Sequence, residues 1–268
     1  MNKEENKKIP LFFLGFFVVI VLTPLFLGAI IPIENVIPNF SDSTYSIKES
    51  YLSCLSGKNV LCIGDSITWL DGKTTSGYDN GNTVIVGYQE QFRKEGAIVT
   101  TKGNSGATIR KYVSTDDMEH GSLVDDIKNS KYNVAGYDII TIFAGTNDVG
   151  RGLRLGTLGN ESDADFDETT TIGALRSMLE YIRTNNPTCD IYLITPLRSG
   201  LASRPYEQME QVAQSIISVG NMYSIKIIDL LHESGIGKGN IDTFTYDKLH
   251  PNNDGFERIG LKIVKEIN

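Results

Sequence analysis

One stretch, Asn59 to Thr68, constrains this chain more than any other: it reads Asn-Val-Leu-Cys-Ile-Gly-Asp-Ser-Ile-Thr. Val60 to Ile63 form a short apolar run bounded by Gly57 and Gly64, the pattern of a buried strand. A strand that stops at Gly64 leaves Asp65 and Ser66 at its carboxyl end, where an open α/β sheet forms its ligand crevice. A serine so placed can attack a substrate once a neighbouring base takes its proton. A strand running into an Asp-Ser turn would show the same residues without any chemistry, so the stretch is informative only in company.

The rest of the chain supplies that company in order. Asp71 to Asn82 is a loop dense in Gly, Asp, Asn and Thr, long enough to wall a crevice, and Trp69 opens it. Gly87 to Glu95 has helical character and stops before Gly96. Ile98 to Thr101 and Asp138 to Phe143 read as strands, with a short helix from Ser122 to Asn129 between them. Gly150 to Asp167 is a long Gly- and Asp-rich loop holding Arg151 and Arg154, and its length suggests a lid. Thr170 to Asn185 carries Ile172, Leu175, Met178, Leu179 and Ile182 at helical spacing. Ile191 to Thr195 is a fourth strand, Tyr206 to Val219 a helix, Lys226 to Asp229 a fifth strand, and Asn253 to Ile267 the closing helix. Strands alternating with helices imply an α/β fold with a parallel sheet covered on both faces.

Each strand end then delivers a polar block. Ser66 follows the first strand, Gly103-Asn104-Ser105-Gly106-Ala107-Thr108 the second, Gly145-Thr146-Asn147-Asp148 the third, and Asp247-Lys248-Leu249-His250-Pro251 the fifth. In a doubly wound sheet the carboxyl ends line one rim, so these residues converge on one crevice. His250 can take the serine proton through Nε2, while Asp247, three residues upstream, can hold the ring through Nδ1. Gly64-x-Ser66-x-Thr68 departs from the Gly-x-Ser-x-Gly elbow of α/β-hydrolases at its last position. Instead, the four blocks in this order resemble the SGNH/GDSL hydrolase family, and the resemblance runs from about Lys58 to the C-terminus.

That resemblance implies a flavodoxin-like three-layer α/β/α sandwich with a parallel sheet of about five strands. It implies a serine esterase with Ser66, Asp247 and His250 as catalytic residues, and no cofactor or metal. It also implies an oxyanion hole made by the backbone N–H groups of Ser66 and Gly106 and the side-chain amide of Asn147. Gly103 is the rival to Gly106 for the second donor, although Gly106-Ala107-Thr108 fits the family block better. Asp65, Trp69, Arg151 and Arg154 are further candidates for contact with substrate. Asp65 and Asp148 can equally shape their loops, and Trp69 can equally pack beneath its own.

The N-terminus sets location. Ile9 to Ile33 is a run of 25 residues without a charge, preceded by Lys3, Lys7 and Lys8. As a helix it would be about 38 Å long, enough to cross a hydrocarbon core of about 30 Å with Pro24 as a kink. The run is too long for a signal-peptide core, and Leu27-Gly28-Ala29 is a poor cleavage site, so a retained anchor is favoured over a cleaved, secreted form. The flanking lysines keep that end cytoplasmic and put the remainder outside the cell. The expected organisation is therefore a cytoplasmic tail and transmembrane anchor (1–33), a stalk (34–56) and the hydrolase domain (57–268).

Composition narrows the partners. A net charge of -8 argues against nucleic acid. Cys54, Cys62 and Cys189 lack Cys-x-x-Cys spacing and have no histidine at ligand spacing, so a zinc site is not expected; Cys62 and Cys189 read as core. His120 and His232 sit in loop-like contexts without a partner pattern. The expected substrate is a small ester or an acylated carbohydrate. A sugar O-acyltransferase using the same acyl-serine and a non-catalytic binding module on this fold are the alternatives.

Overall fold

The computed structural model describes residues 53–112 and 121–268. From the N-terminal side, β1 (Asn59–Gly64) runs into the one-turn helix α1 (Ser66–Trp69), and α2 (Gln89–Lys94) leads to β2 (Ile98–Gly103). Next come α3 (Leu123–Lys128), β3 (Ile139–Phe143), α4 (Thr146–Gly150) and α5 (Thr171–Asn185). β4 (Asp190–Ile194), α6 (Tyr206–Met222), β5 (Lys226–Ile228), α7 (Leu230–Glu233), α8 (Ile241–Phe244) and α9 (Asn253–Ile267) complete the chain.

The five strands form one sheet in the order β2-β1-β3-β4-β5, parallel at each pairing. Alternation along each strand divides the core. Leu61, Ile63, Ile140, Ile142, Ile191 and Leu193 face α3, α5 and α6, while Val60, Cys62, Ile139, Phe143, Tyr192 and Ile194 face α2 and α9. The central strands β1, β3 and β4 are covered on both faces and buried along most of their length, as in a parallel sheet, whereas the edge strand β2 is half-exposed and carries Thr100, Thr101 and Lys102. Cys62 is wholly buried, and burial pushes its thiol up to about 12, which makes it an inert core residue.

Capping sets the long helices. The Thr170 hydroxyl accepts the Gly173 N–H at the start of α5, and the Asn252 side chain accepts the Gly255 N–H at the start of α9. Four helices have no counterpart in the sequence reading: α1, α4, α7 and α8 span only four or five residues each, too few to show a period.

The loop between α4 and α5 differs from the expected lid because buried arginines fasten it. Arg110 Nη2 donates to the carbonyls of Gly152 at 2.7 Å and Arg151 at 3.2 Å. Arg176 donates to the carbonyls of Leu158 at 2.5 Å and Asn160 at 2.6 Å, with its guanidinium over the Phe166 ring. His232 also departs from expectation. It lies in α7, its Nδ1 2.7 Å from Asp229 and its Nε2 2.6 Å from Glu210, so two carboxylates raise its pKa. His120 lies outside the described residues, as do the expected anchor and the stalk up to residue 52. Among the described residues no helix is long and apolar enough to cross a membrane.

Glu168, just before α5, collects Lys111, Lys128 and the Ser177 hydroxyl. Burial alone would raise its pKa, but these partners outweigh burial and hold the carboxyl at about 2. A folded-state value below the ordinary 4.5 contributes stability above that pH, and the contribution is lost as pH falls from 4.5 toward about 2. Glu168→Gln should therefore cost about 1 kcal/mol at neutral pH, modest because both lysines are exposed. Denaturant midpoints measured against pH should show the gap to wild type closing across that acidic window.

Candidate active site

The site lies where the strand order reverses, at the carboxyl ends of β1 and β3. Gly64 is in register with both Gly103 and Phe143. A Cβ on Gly64 would overlap Thr68 Oγ1 and the Phe143 carbonyl. α1 can therefore begin directly after the strand, and it carries Ser66 at its first position. Asp65 caps this turn, its Oδ1 accepting the Ile67 N–H at 3.0 Å. Asp65 is only 1% exposed, and its carboxylate is engaged by the turn. Burial raises its pKa to about 6.

Ser66 Oγ is 2.8 Å from His250 Nε2, and His250 Nδ1 is 2.6 Å from Asp247 Oδ2. The loop from Tyr246 to Pro251 is built to make the second contact. Asp247 Oδ1 accepts the backbone N–H groups of Leu249 at 3.0 Å and His250 at 2.7 Å, and the Tyr246 N–H reaches the His250 carbonyl. Lys248 takes a left-handed conformation, φ 68°, to bring the ring back over the carboxylate. Gly200 N–H and Ser199 Oγ hold the Lys248 carbonyl, and the Tyr246 ring stacks on the imidazole with centroids 5.7 Å apart. Burial acts to raise the Asp247 pKa, but the hydrogen bonds from the His250 ring and backbone outweigh it and hold the carboxyl below its ordinary value.

Asn147 is the second residue of α4 and is buried. Its Nδ2 donates to the Ala107 carbonyl at 3.0 Å, and its Oδ1 accepts from Arg204 Nη2 at 3.2 Å. An amide nitrogen carries two hydrogens, so one remains for a ligand. Gly106 has φ 79°, in the turn closed by Ala107 N–H on the Asn104 carbonyl. Among the described residues, neither the Ser66 nor the Gly106 N–H donates to a protein acceptor. Asp148, next to Asn147, is fully buried and accepts from Ile109 N–H, Arg110 N–H and Thr171 Oγ1. Burial lifts its pKa to about 6, and its hydrogen bonds tie α4 to the loop after β2 and to the start of α5.

The other candidates are dispersed. Arg151 Nε donates to the Gly106 carbonyl at 3.3 Å, and its guanidinium lies over Tyr112, so it meets the glycine loop from outside. Arg154 is exposed and contributes its carbonyl to Thr171. Trp69 is 38% exposed at the end of α1, with the Lys73 ammonium 5.5 Å from its ring centroid. Arg204, in the β4-α6 loop, was not visible in the sequence, because a lone arginine before a proline carries no motif. Among the described residues no group of three or more His, Cys, Asp or Glu could hold a metal ion.

A sequence profile of the GDSL-like lipase/acylhydrolase family matches residues 62–258. Solved structures share the fold. A protein from Lactobacillus plantarum is 24% identical with a TM-score of 0.60, over 78% of this chain and 96% of its own. The lipase/acylhydrolase from Enterococcus faecalis is 21% identical with a TM-score of 0.54, over 78% and 95%. A catalytic mutant of an acetylxylan esterase from Geobacillus stearothermophilus is 21% identical with a TM-score of 0.51, over 80% and 95%. Among curated proteins no sequence matches.

The structure separates the two glycines proposed for the oxyanion loop. A Cβ on Gly103 would run into the backbone of Trp69, so this glycine lets α1 lie against β2. Gly103→Ala should destabilise the protein by about 3 kcal/mol through overpacking against backbone that cannot move aside. Thermal unfolding checks this, and a variant as stable as wild type would mean that α1 does not sit against β2.

Proposed function

Because the chain belongs to the GDSL-like lipase/acylhydrolase family, we propose that it is a serine esterase cleaving carboxylic esters through an acyl-serine on Ser66. The observation that carries the reading is the unbroken relay from Ser66 Oγ through His250 to Asp247. Ser66 Oγ attacks the ester carbonyl carbon as its proton passes to His250 Nε2. The carbonyl oxygen becomes an oxyanion between the N–H groups of Ser66 and Gly106 and the free Asn147 amide hydrogen. Collapse breaks the bond to the alcohol oxygen, which leaves with the proton from His250. Water, deprotonated by the same ring, then releases the acid and restores the serine.

Small acyl groups are the proposed substrates, O-acetyl groups on carbohydrate among them. The acetylxylan esterase among the similar folds supports the carbohydrate part. The uncharged run from Ile9 to Ile33 supports a membrane-anchored, outward-facing enzyme, which rests on the sequence alone. If a sugar hydroxyl replaced water in the second half, the same acyl-serine would serve a transferase.

Ser66→Ala should keep the fold and lose turnover of an activated acetyl ester by on the order of 10⁵-fold or more. A fluorophosphonate should label wild type at Ser66 and leave the variant unlabelled. Near-normal turnover in Ser66→Ala would refute the mechanism.

A further inference from the structure

Asn147 can stabilise an oxyanion only if its nitrogen, not its oxygen, faces the substrate, and a carboxamide alone has little preference between the two orientations. Here two neighbours agree on one of them. The Ala107 carbonyl accepts from Nδ2 at 3.0 Å, and the Arg204 guanidinium donates to Oδ1 at 3.2 Å. A flipped amide would set oxygen against the Ala107 carbonyl and N–H against the guanidinium. A cationic donor on the amide oxygen also draws electron density from nitrogen, strengthening the remaining N–H as a donor.

Arg204 is itself held for this contact. Its N–H closes a turn on the Leu201 carbonyl, and Pro205, the residue that precedes α6, follows it directly. Its other described side-chain bond goes from Nη1 to Ser203 Oγ, and its Nε is buried without a partner. Gly150, the last residue of α4, makes room for the guanidinium: a Cβ there would stand 2.8 Å from Nη2 and 2.9 Å from Cζ. Gly150 lies outside the set of left-handed glycines, so its backbone does not require glycine.

We propose that Arg204 is a positioning residue that fixes the orientation of the Asn147 amide in the oxyanion hole, with Gly150 admitting its guanidinium. The inference rests on the esterase reading above. Its role is exerted through Asn147 and not through contact with the substrate.

The test is a double-mutant cycle on an activated acetyl ester, with kcat and KM measured for wild type, Arg204→Met, Gly150→Ala, Asn147→Ala and the Arg204→Met/Asn147→Ala pair. Losing the amide should lower kcat by about 10²-fold or more. Losing only its orientation should lower kcat about tenfold with KM unchanged. In the Asn147→Ala background the Arg204 substitution should change kcat by less than about twofold, the non-additivity of groups acting as one. Gly150→Ala should lower kcat in the same direction while keeping the arginine charge. Alanine is the better helix residue, so this variant carries the test if Arg204→Met fails to fold.

Wild-type kcat in Arg204→Met, an equal loss in both Asn147 backgrounds, or an effect confined to KM would each overturn the positioning role and leave the esterase standing. A wild-type protein that neither turns over esters nor is labelled at Ser66 would overturn the esterase reading, and this inference with it.

Discussion

The contact on which the structure depends is the absence of side chains where β1 meets its neighbours. Gly64 and Gly103 are register partners, and a Cβ on either would strike α1 or the β3 backbone. Because both are bare, α1 folds back on the strand ends at once, and its first residue is Ser66. One extra methyl would lift the helix and carry the serine away from His250, which arrives from a loop 184 residues later in the chain. The sheet order places this turn at its switch point, so the crevice opens beside it and not over a neighbouring strand.

Groups whose chemistry and placement are both local could be read from the sequence. Asp247 and His250 are one turn apart, Ser66 follows a strand that announces itself, and Asn147 follows another. Arg204, Arg110 and Arg176 could not be read, because each acts on residues that only the fold brings near. Arg176, only 3% exposed, ties down a loop whose length and composition suggested a lid. An arginine buried among carbonyls looks, in sequence, like a charge on a solvated helix face. The same distance effect hid Glu210, which reaches His232 from α6, whereas Asp229 stands three residues before His232 and was as local as Asp247 is to His250.

Charge around the site is divided by depth. Asp65 and Asp148 lie beneath it, fully buried, and burial lifts both to about 6. Their lone pairs serve backbone N–H groups, Asp65 as a local cap on Ile67 and Asp148 as a tie to Ile109 and Arg110 in the loop after β2. Asp247, more exposed, is the carboxylate held below its ordinary value, because its hydrogen bonds come from His250 and outweigh burial. Three carboxylates near one serine are thus separated by environment: two complete the scaffold, and one is hydrogen-bonded to the proposed base.

The proposed oxyanion hole gives a reason for so many connections in the scaffold. Its three proposed donors come from the ends of β1, β2 and β3, each on a separate turn. A donor helps only if it already points at the place where charge will develop, because reorienting during the reaction would forfeit the gain. The Ser66 N–H is aimed by the start of α1 and the Gly106 N–H by a left-handed turn, both backbone devices. Asn147 is the one side chain of the three, free to rotate unless something holds it, and it meets the two partners that fix an amide, an acceptor for its nitrogen and a donor for its oxygen.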